Sequence, residues 1–240
     1  MSVTILALTL NEIDGVKVIL PQIDPAWHQQ LIVVDGGSTD GTVEWCRAHG
    51  YEVFPQKRRG IRFAYLDVLD HITGDIVVTL SPDGNCPAAS IPDLVKAVQN
   101  GADLAIGSRY FGLATSQDDD VVTGFGNWLF TKTVNVLHGG RYTDAMVIYR
   151  AFRKSLIYDL DLHKDESYEL PERMFGTIMS WEPLMSVRAA KRRLNIADVA
   201  VGEPPRIGGN RKLQLFRWGA AYYFQFWREL WYWRGGTPRT

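Results

Sequence analysis

The chain has 240 residues, 46% of them hydrophobic and 22% charged, with a formal net charge of -1. This is the composition of an ordinary folded chain with a sizeable core, and it excludes a uniformly basic nucleic-acid binder. Cys46 and Cys86 form no CxxC pair, which excludes a disulfide scaffold and fits a reducing, cytoplasmic setting.

Met1 runs directly into an apolar stretch over residues 3–8, with no basic leader and no Ala-x-Ala site, so no export signal is read there. No apolar run reaches the roughly 18–20 residues that span a bilayer. Charge is unevenly spread. Residues 188–240 hold 11 Lys/Arg against 3 Asp/Glu, which suits phosphates or an anionic surface.

In chain order, residues 3–10 form an apolar run suited to a buried strand, and residues 16–23 a short helix before Pro25. Leu31-Ile32-Val33-Val34 is a β-branched strand ending at Asp35, with Gly36-Gly37 as the turn. Thr39 or Asp40 caps a helix over 42–49. Strands follow at 51–54, 75–80 and 104–107, and helices at 61–71 and 91–100. This alternation predicts an α/β fold with a mainly parallel sheet flanked by helices. Residues 112–122, with Asp118-Asp119-Asp120, read as a solvated loop. A helix is expected over 125–137 and a polar turn over 143–152. Residues 189–194 are helical or extended, and 203–210 form a Pro/Gly loop. Residues 213–233 are crowded with aromatics, and 215, 218, 222 and 226 share one helical face. Arg217 and Arg228 should lie away from its centre.

Ligands of open parallel sheets bind beyond the strand C-termini. Thr9-Leu10-Asn11-Glu12, the segment 35–40 and Ser81 to Asn85 all follow such ends. Asp35 can accept from a base or ribose, or cap the following helix. Asp83 can hold Mg²⁺ or Mn²⁺ against a diphosphate, with Asn85 as a neutral oxygen donor, or simply make an Asx turn. Lys57-Arg58-Arg59-Gly60 and Arg62 can grip a diphosphate or form a solvated face. The spacing is neither GxGxxG nor GxxxxGK[ST], which disfavours dinucleotide and P-loop chemistry.

These segments, together with Arg59-Gly60-Ile61-Arg62, Thr73-Gly74-Asp75, Gly107-Ser108-Arg109-Tyr110, residues 143–152 and residues 205–213, resemble inverting glycosyltransferases of family 2. The nearest branch contains dolichyl-phosphate mannosyltransferases and bacterial polyprenyl-phosphate glycosyltransferases. The resemblance implies a GT-A fold over residues 1–213, followed by an aromatic and basic segment over 214–240. It implies a UDP- or GDP-sugar donor contacted by Leu10, Asn11, Glu12, Asp35, Gly37, Ser38, Arg59, Arg62, Arg206 and Lys212. Asp83 and Asn85 would surround a divalent metal, Mg²⁺ or Mn²⁺. Arg109, Arg206 and Lys212 would face phosphates of donor or acceptor. A polyprenyl-phosphate acceptor is itself an oxyanion nucleophile, so alignment and charge neutralisation would carry the reaction.

The sequence departs from that pattern at three places. Ser81 stands where the DxD motif begins with Asp, Ile148 replaces a Gly, and Arg211 replaces a Ser. A hydroxyl acceptor would need a general base, for which Glu182 and Asp144 are the candidates. Both equally suit structural roles. The C-terminal aromatics and arginines suit either a membrane interface, at the cytoplasmic face, or packing on the core or on a second subunit. A catalytically silent nucleotide-sugar binder is the alternative outside enzymes, and no nucleic-acid motif is present.

Overall fold

The computed structural model describes residues 1–208 and 215–235, with backbone alone at 215 and 216. Strand β1 (Val3–Thr9) is buried at every position, as a central strand covered on both faces must be. On one side it pairs with β2 (Gln30–Asp35), which pairs with β3 (Glu52–Pro55); on the other it pairs with β4 (Ile76–Leu80). All four are parallel. β5 (Leu104–Ser108), β6 (Arg150–Arg153) and β7 (Ile196–Ala200) complete the order β3-β2-β1-β4-β6-β5-β7. β6 runs antiparallel to both β4 and β5, while β7 is parallel to β5.

The helices are α1 (Ile13–Ile19), α2 (Thr42–Ala48), α3 (Ile61–Val68), α4 (Ile91–Gln99), α5 (Val121–His138), α6 (Leu156–Asp159), α7 (Glu166–Phe175), α8 (Glu182–Lys191) and α9 (Leu215–Tyr232). Side chains alternate across a strand, so Ile5 and Ala7 meet Val16, Cys46 and Leu94 on one face. Leu6 and Leu8 join the cluster of Tyr65, Val134, Leu184 and Phe226 on the other. Each fully buried aliphatic side chain contributes about 1.5–3 kcal/mol, so these two layers dominate the stability.

Several expectations need correction. The predicted polar turn over 143–152 ends as strand β6, and the strand β7 was not anticipated. Residues 189–191 finish α8. The first helix starts earlier than expected, because Asn11 takes a left-handed φ of 52° and turns the chain directly into α1. Arg228, off the centre of the face that holds 218, 222 and 226, is nonetheless buried and donates to the Ser167 carbonyl at 2.9 Å, so the buried side of the last helix is wider than that face. The described part of the C-terminal segment packs into the main core through Ala221, Tyr222, Phe226 and Trp233. It is also tied there by the fully buried pair of Arg188 and Glu229, whose two bonds measure 3.0 and 3.1 Å.

His138, in the last turn of α5, donates from Nε2 to the Phe226 carbonyl of α9 at 3.0 Å, and its Nδ1 is buried with no partner. Burial and nearby Lys191 push its pKa down to about 4, against the pull of the carbonyl. An unfolded histidine titrates near 6.5. Between those values the unfolded chain binds a proton that the native one refuses. Stability contributed by neutral His138 is therefore complete above about pH 6.5 and is lost as the pH falls to about 4. Urea midpoints across that interval should fall with a slope of about one proton, and His138→Gln should flatten it. An unchanged slope in the variant would assign the acid sensitivity elsewhere.

Candidate active site

The sheet topology decides which loops meet. All strands except β6 point their C-termini to one rim, and the antiparallel β6 begins there. The rim therefore collects the loops after β1, β2, β3, β4, β5 and β7, together with the lead-in to β6.

The turn after β2 is tied by its own carboxylate. Asp35, 3% exposed, accepts from the Gly37 and Ser38 amides at 2.8 Å each on Oδ2. Its Oδ1 accepts from the hydroxyls of Ser38 and Thr9. Four protein donors occupy this carboxylate, so its work is to shape the turn. Asn11 crosses between the loops: its amide donates to Ser38 Oγ at 2.7 Å, and its Oδ1 accepts from the Thr39 amide at 2.8 Å. The buried Glu12 follows, its amide donating to Thr42 Oγ1 at 3.1 Å. Leu10 is exposed beside them.

The loop after β4 packs tightly on α1. A Cβ on Gly15 would lie 2.1 Å from the Pro82 carbonyl oxygen, so only glycine lets the helix approach. Gly84 has φ +98°, and a Cβ there would press on Ile207. Ile207 donates to the Asp83 carbonyl at 2.7 Å, which ties the loop after β7 to the loop after β4. Asp83 Oδ2 meets Arg206 Nη1 at 2.6 Å, and Asp83 Oδ1 accepts from the Asn85 amide at 3.1 Å. Asn85 Nδ2 donates to Asp118 at 3.0 Å, whereas its Oδ1 is buried and accepts no hydrogen bond from the described residues. Among the described residues no three His, Cys, Asp or Glu side chains are grouped to hold a metal. The oxygens of Asp83 and Asn85 are hard donors of the kind that suits Mg²⁺ or Mn²⁺, although Asp83 Oδ2 is held by Arg206.

Arg109, just past β5, is enclosed by carboxylates. Its Nε and Nη2 donate to Asp144 at 2.6 and 3.1 Å, and its Nη1 lies 3.7 Å from Asp119 and 3.6 Å from Glu203. Burial alone would lower its pKa, but Asp144 and Glu203 outweigh that and hold it raised. Burial likewise pushes Glu203 up, while Arg109 pulls it down. The loop expected to be solvated is thus hooked onto the site. Asp118 and Asp119 have side chains only 20% and 9% exposed. The signal for them was two arginines expected at one rim with too few carboxylates nearby.

The family model for glycosyl transferase family 2 matches residues 9–161, well over half of the chain. The chain belongs to that family. This glycosyltransferase is 27% identical over 230 residues to glycosyltransferase AglJ of Haloferax volcanii, covering 95% of this chain and 72% of the relative. It is 28% identical to the dolichyl-phosphate hexose transferase of the same organism, covering 89% and 87% of the two chains. It is also 26% identical to the undecaprenyl-phosphate mannosyltransferase of Micrococcus luteus, covering 92% and 95%. Glucosyl-3-phosphoglycerate synthase of Mycobacterium tuberculosis, solved with Mn²⁺, UDP-glucose and phosphoglyceric acid, superposes with a TM-score of 0.64 at 21% identity, over 95% of this chain and 79% of that one. That likeness establishes the GT-A fold.

Within the family 2 site, three expected residues sit elsewhere or are committed. Arg62 turns inward from α3, is 1% exposed, and donates to Glu172 at 3.0 and 3.1 Å and to Asp165. It also stacks on Tyr168. Burying an arginine requires such partners, so its charge serves the packing of α7 on α3 rather than a diphosphate. Glu182 is 3% exposed and accepts from the Tyr65 and Ser180 hydroxyls. Burial raises its pKa against the pull of Arg150 and the Tyr65 hydroxyl. Asp144 is fully buried beneath Arg109. Neither carboxylate presents an open oxygen to an acceptor. Arg59 is exposed on its loop. Lys212 lies outside the described residues.

Gly15→Ala should destabilise the protein by about 3 kcal/mol, since a backbone oxygen must move. Gly37→Ala, with φ +96° and open space around its Cβ, should cost about 1 kcal/mol. Urea denaturation of both variants tests the order, and equal losses would mean that α1 does not press on the Pro82 loop.

Proposed function

We propose that this glycosyltransferase moves a hexose from a UDP- or GDP-sugar to a polyprenyl phosphate, with inversion and with a divalent cation at Asp83 and Asn85. The observation that carries the reading is the meeting of Asp83 and Asn85 with Arg206 at the rim where the glycine turn after β2 also ends. The cation would offset charge developing on the departing nucleoside diphosphate. The turn held by Asp35 and Asn11 would receive the nucleoside, with Leu10, Glu12, Gly37 and Ser38 around it. Arg206 would meet phosphate oxygens as a bidentate donor. Arg109 would keep the loops aligned rather than touch substrate.

Acceptor chemistry is argued from what the carboxylates can do. A phosphate nucleophile is already anionic at neutral pH and requires no proton abstraction. Asp144 and Glu182, the two candidates for general base, are both buried in other bonds. The relatives described as dolichyl-phosphate and undecaprenyl-phosphate transferases agree with this acceptor. No helix among the described residues is long and apolar enough to cross a membrane. Exposed Trp227, Leu230 and Trp231 on α9 provide apolar contacts for it.

A second reading, transfer to a small hydroxylated acceptor, is favoured by the neighbour solved with phosphoglyceric acid. Turnover followed by mass spectrometry, with UDP- and GDP-sugars, Mg²⁺ or Mn²⁺ and undecaprenyl phosphate, separates the two. The expected product is a sugar–phospholipid, formed at least about 100-fold more slowly by Asp83→Asn. Product with soluble hydroxyl acceptors alone, abolished by Glu182→Gln in a protein that still folds, would transfer the assignment to the second reading.

A further inference from the structure

We propose that Asp118 completes the divalent-cation site of Asp83 and Asn85, and that Arg206 closes this site until a cation displaces it. The proposal takes from the preceding reading only that a divalent cation binds at Asp83 and Asn85. It assigns the second carboxylate to a loop far along the chain from the DxD position, and it gives Arg206 a role before any donor arrives.

The starting point is a charge deficit. Ser81 occupies the place where the motif supplies its first carboxylate, and a neutral hydroxyl cannot replace that charge. Asp118 stands beside the remaining ligands. The Asn85 side chain joins them: its nitrogen donates to Asp118 at 3.0 Å, which leaves its oxygen, the end able to ligate a cation, buried and unused. A buried carbonyl oxygen without a donor is destabilising, because its lost hydration is not replaced. Coordination to a cation would remove that cost.

Arg206 bridges the same two acids. Its Nη1 is 2.6 Å from Asp83 Oδ2, and its Nη2 is 4.0 Å from Asp118 Oδ2. The guanidinium is held by its tips, because its Nε is buried with no acceptor. The guanidinium lies against the same two carboxylates that a divalent ion would meet. The guanidinium and the ion repel each other and compete for the same oxygens, so they cannot both hold Asp83. Release of Arg206 needs no loop opening. Ile207 is anchored to the Asp83 carbonyl, and the Arg206 side chain is 23% exposed. A rotamer change suffices, and it frees the guanidinium for phosphate oxygens of the donor.

The test is Mn²⁺ binding to the full chain without nucleotide, followed by the electron paramagnetic resonance signal of free Mn²⁺ and by calorimetry. Arg206→Gln should bind Mn²⁺ about tenfold more tightly than the native chain, and adding Asp118→Asn should remove about that gain. Asp118→Glu in the Arg206→Gln background should keep most of it, and circular dichroism confirms that each variant folds. Equal or weaker binding by Arg206→Gln overturns the proposal. So does unchanged binding when Asp118→Asn is added, or the absence of binding in every variant. A phosphate-only role for Arg206 would leave Mn²⁺ affinity unmoved, because no phosphate is present. Sugar transfer with no such affinity pattern would sink this proposal alone. The affinity pattern without transfer to a lipid phosphate would sink the acceptor reading instead.

Discussion

The guanidinium of Arg109 is the pin on which the rim depends. It leaves β5 and gathers Asp144 from the lead-in to β6, Asp119 from the loop before α5, and Glu203 from the segment after β7. Three pieces of chain are thereby brought to one place, and two of them, the loop before α5 and the segment after β7, also share a parallel β-bridge between Ser116 and Glu203. Buried charges persist only where opposite charge and hydrogen bonds offset their lost hydration. The same cluster therefore demands that all three loops be present together. Removal of any one acid leaves a smaller disturbance than removal of the arginine, which would take an ion-pair partner from three carboxylates at once.

The two halves of the rim are held by different physics. Around β1 and β2 the bonds are short, local and internally complete: Asp35 is saturated by amides and hydroxyls from its own turn and from Thr9. Around β4, β5 and β7 they are long-range ion pairs among groups that could exchange partners. On the proposed reading the rigid half would receive the nucleoside, whose shape is constant through the reaction. An exchangeable charge lattice suits the phosphates, whose charge changes as the glycosidic bond breaks.

Much of this architecture was legible in the sequence. Strands β1, β2 and β4 are continuous apolar or β-branched runs stopped at Asn11, Asp35 and Ser81-Pro82, and their loops were read as a shared rim. β6 was hidden because it is four residues long and begins with Arg150, a buried charge paid for by carbonyls of Val147 and Glu182 that no local pattern shows. β7 was hidden because it is an edge strand, half-buried over most of its length. Arg62 looked like part of a basic loop, since Lys57, Arg58 and Arg59 precede it. Its partners Asp165 and Glu172 lie on the far side of the sequence. The run of three aspartates looked solvated for the same reason: local charge density was visible, while the arginines that neutralise it were not.

The pairing of β7 with β5 has a consequence for the history of the molecule. Leu104 finds its neighbour Ile196 only after the intervening helices have been made, and non-local strand pairing is slow because loop entropy is lost before contacts repay it. On a ribosome, the turns after β1 and β2 are synthesised while Glu203 and Arg206 are still to come, although one face of β1 waits for Leu184 and Phe226 to cover it. A nascent chain stalled before β7 would carry Arg109 without Glu203 and Asp83 without Arg206, so the charge balance of the rim is reached only when the last segment arrives.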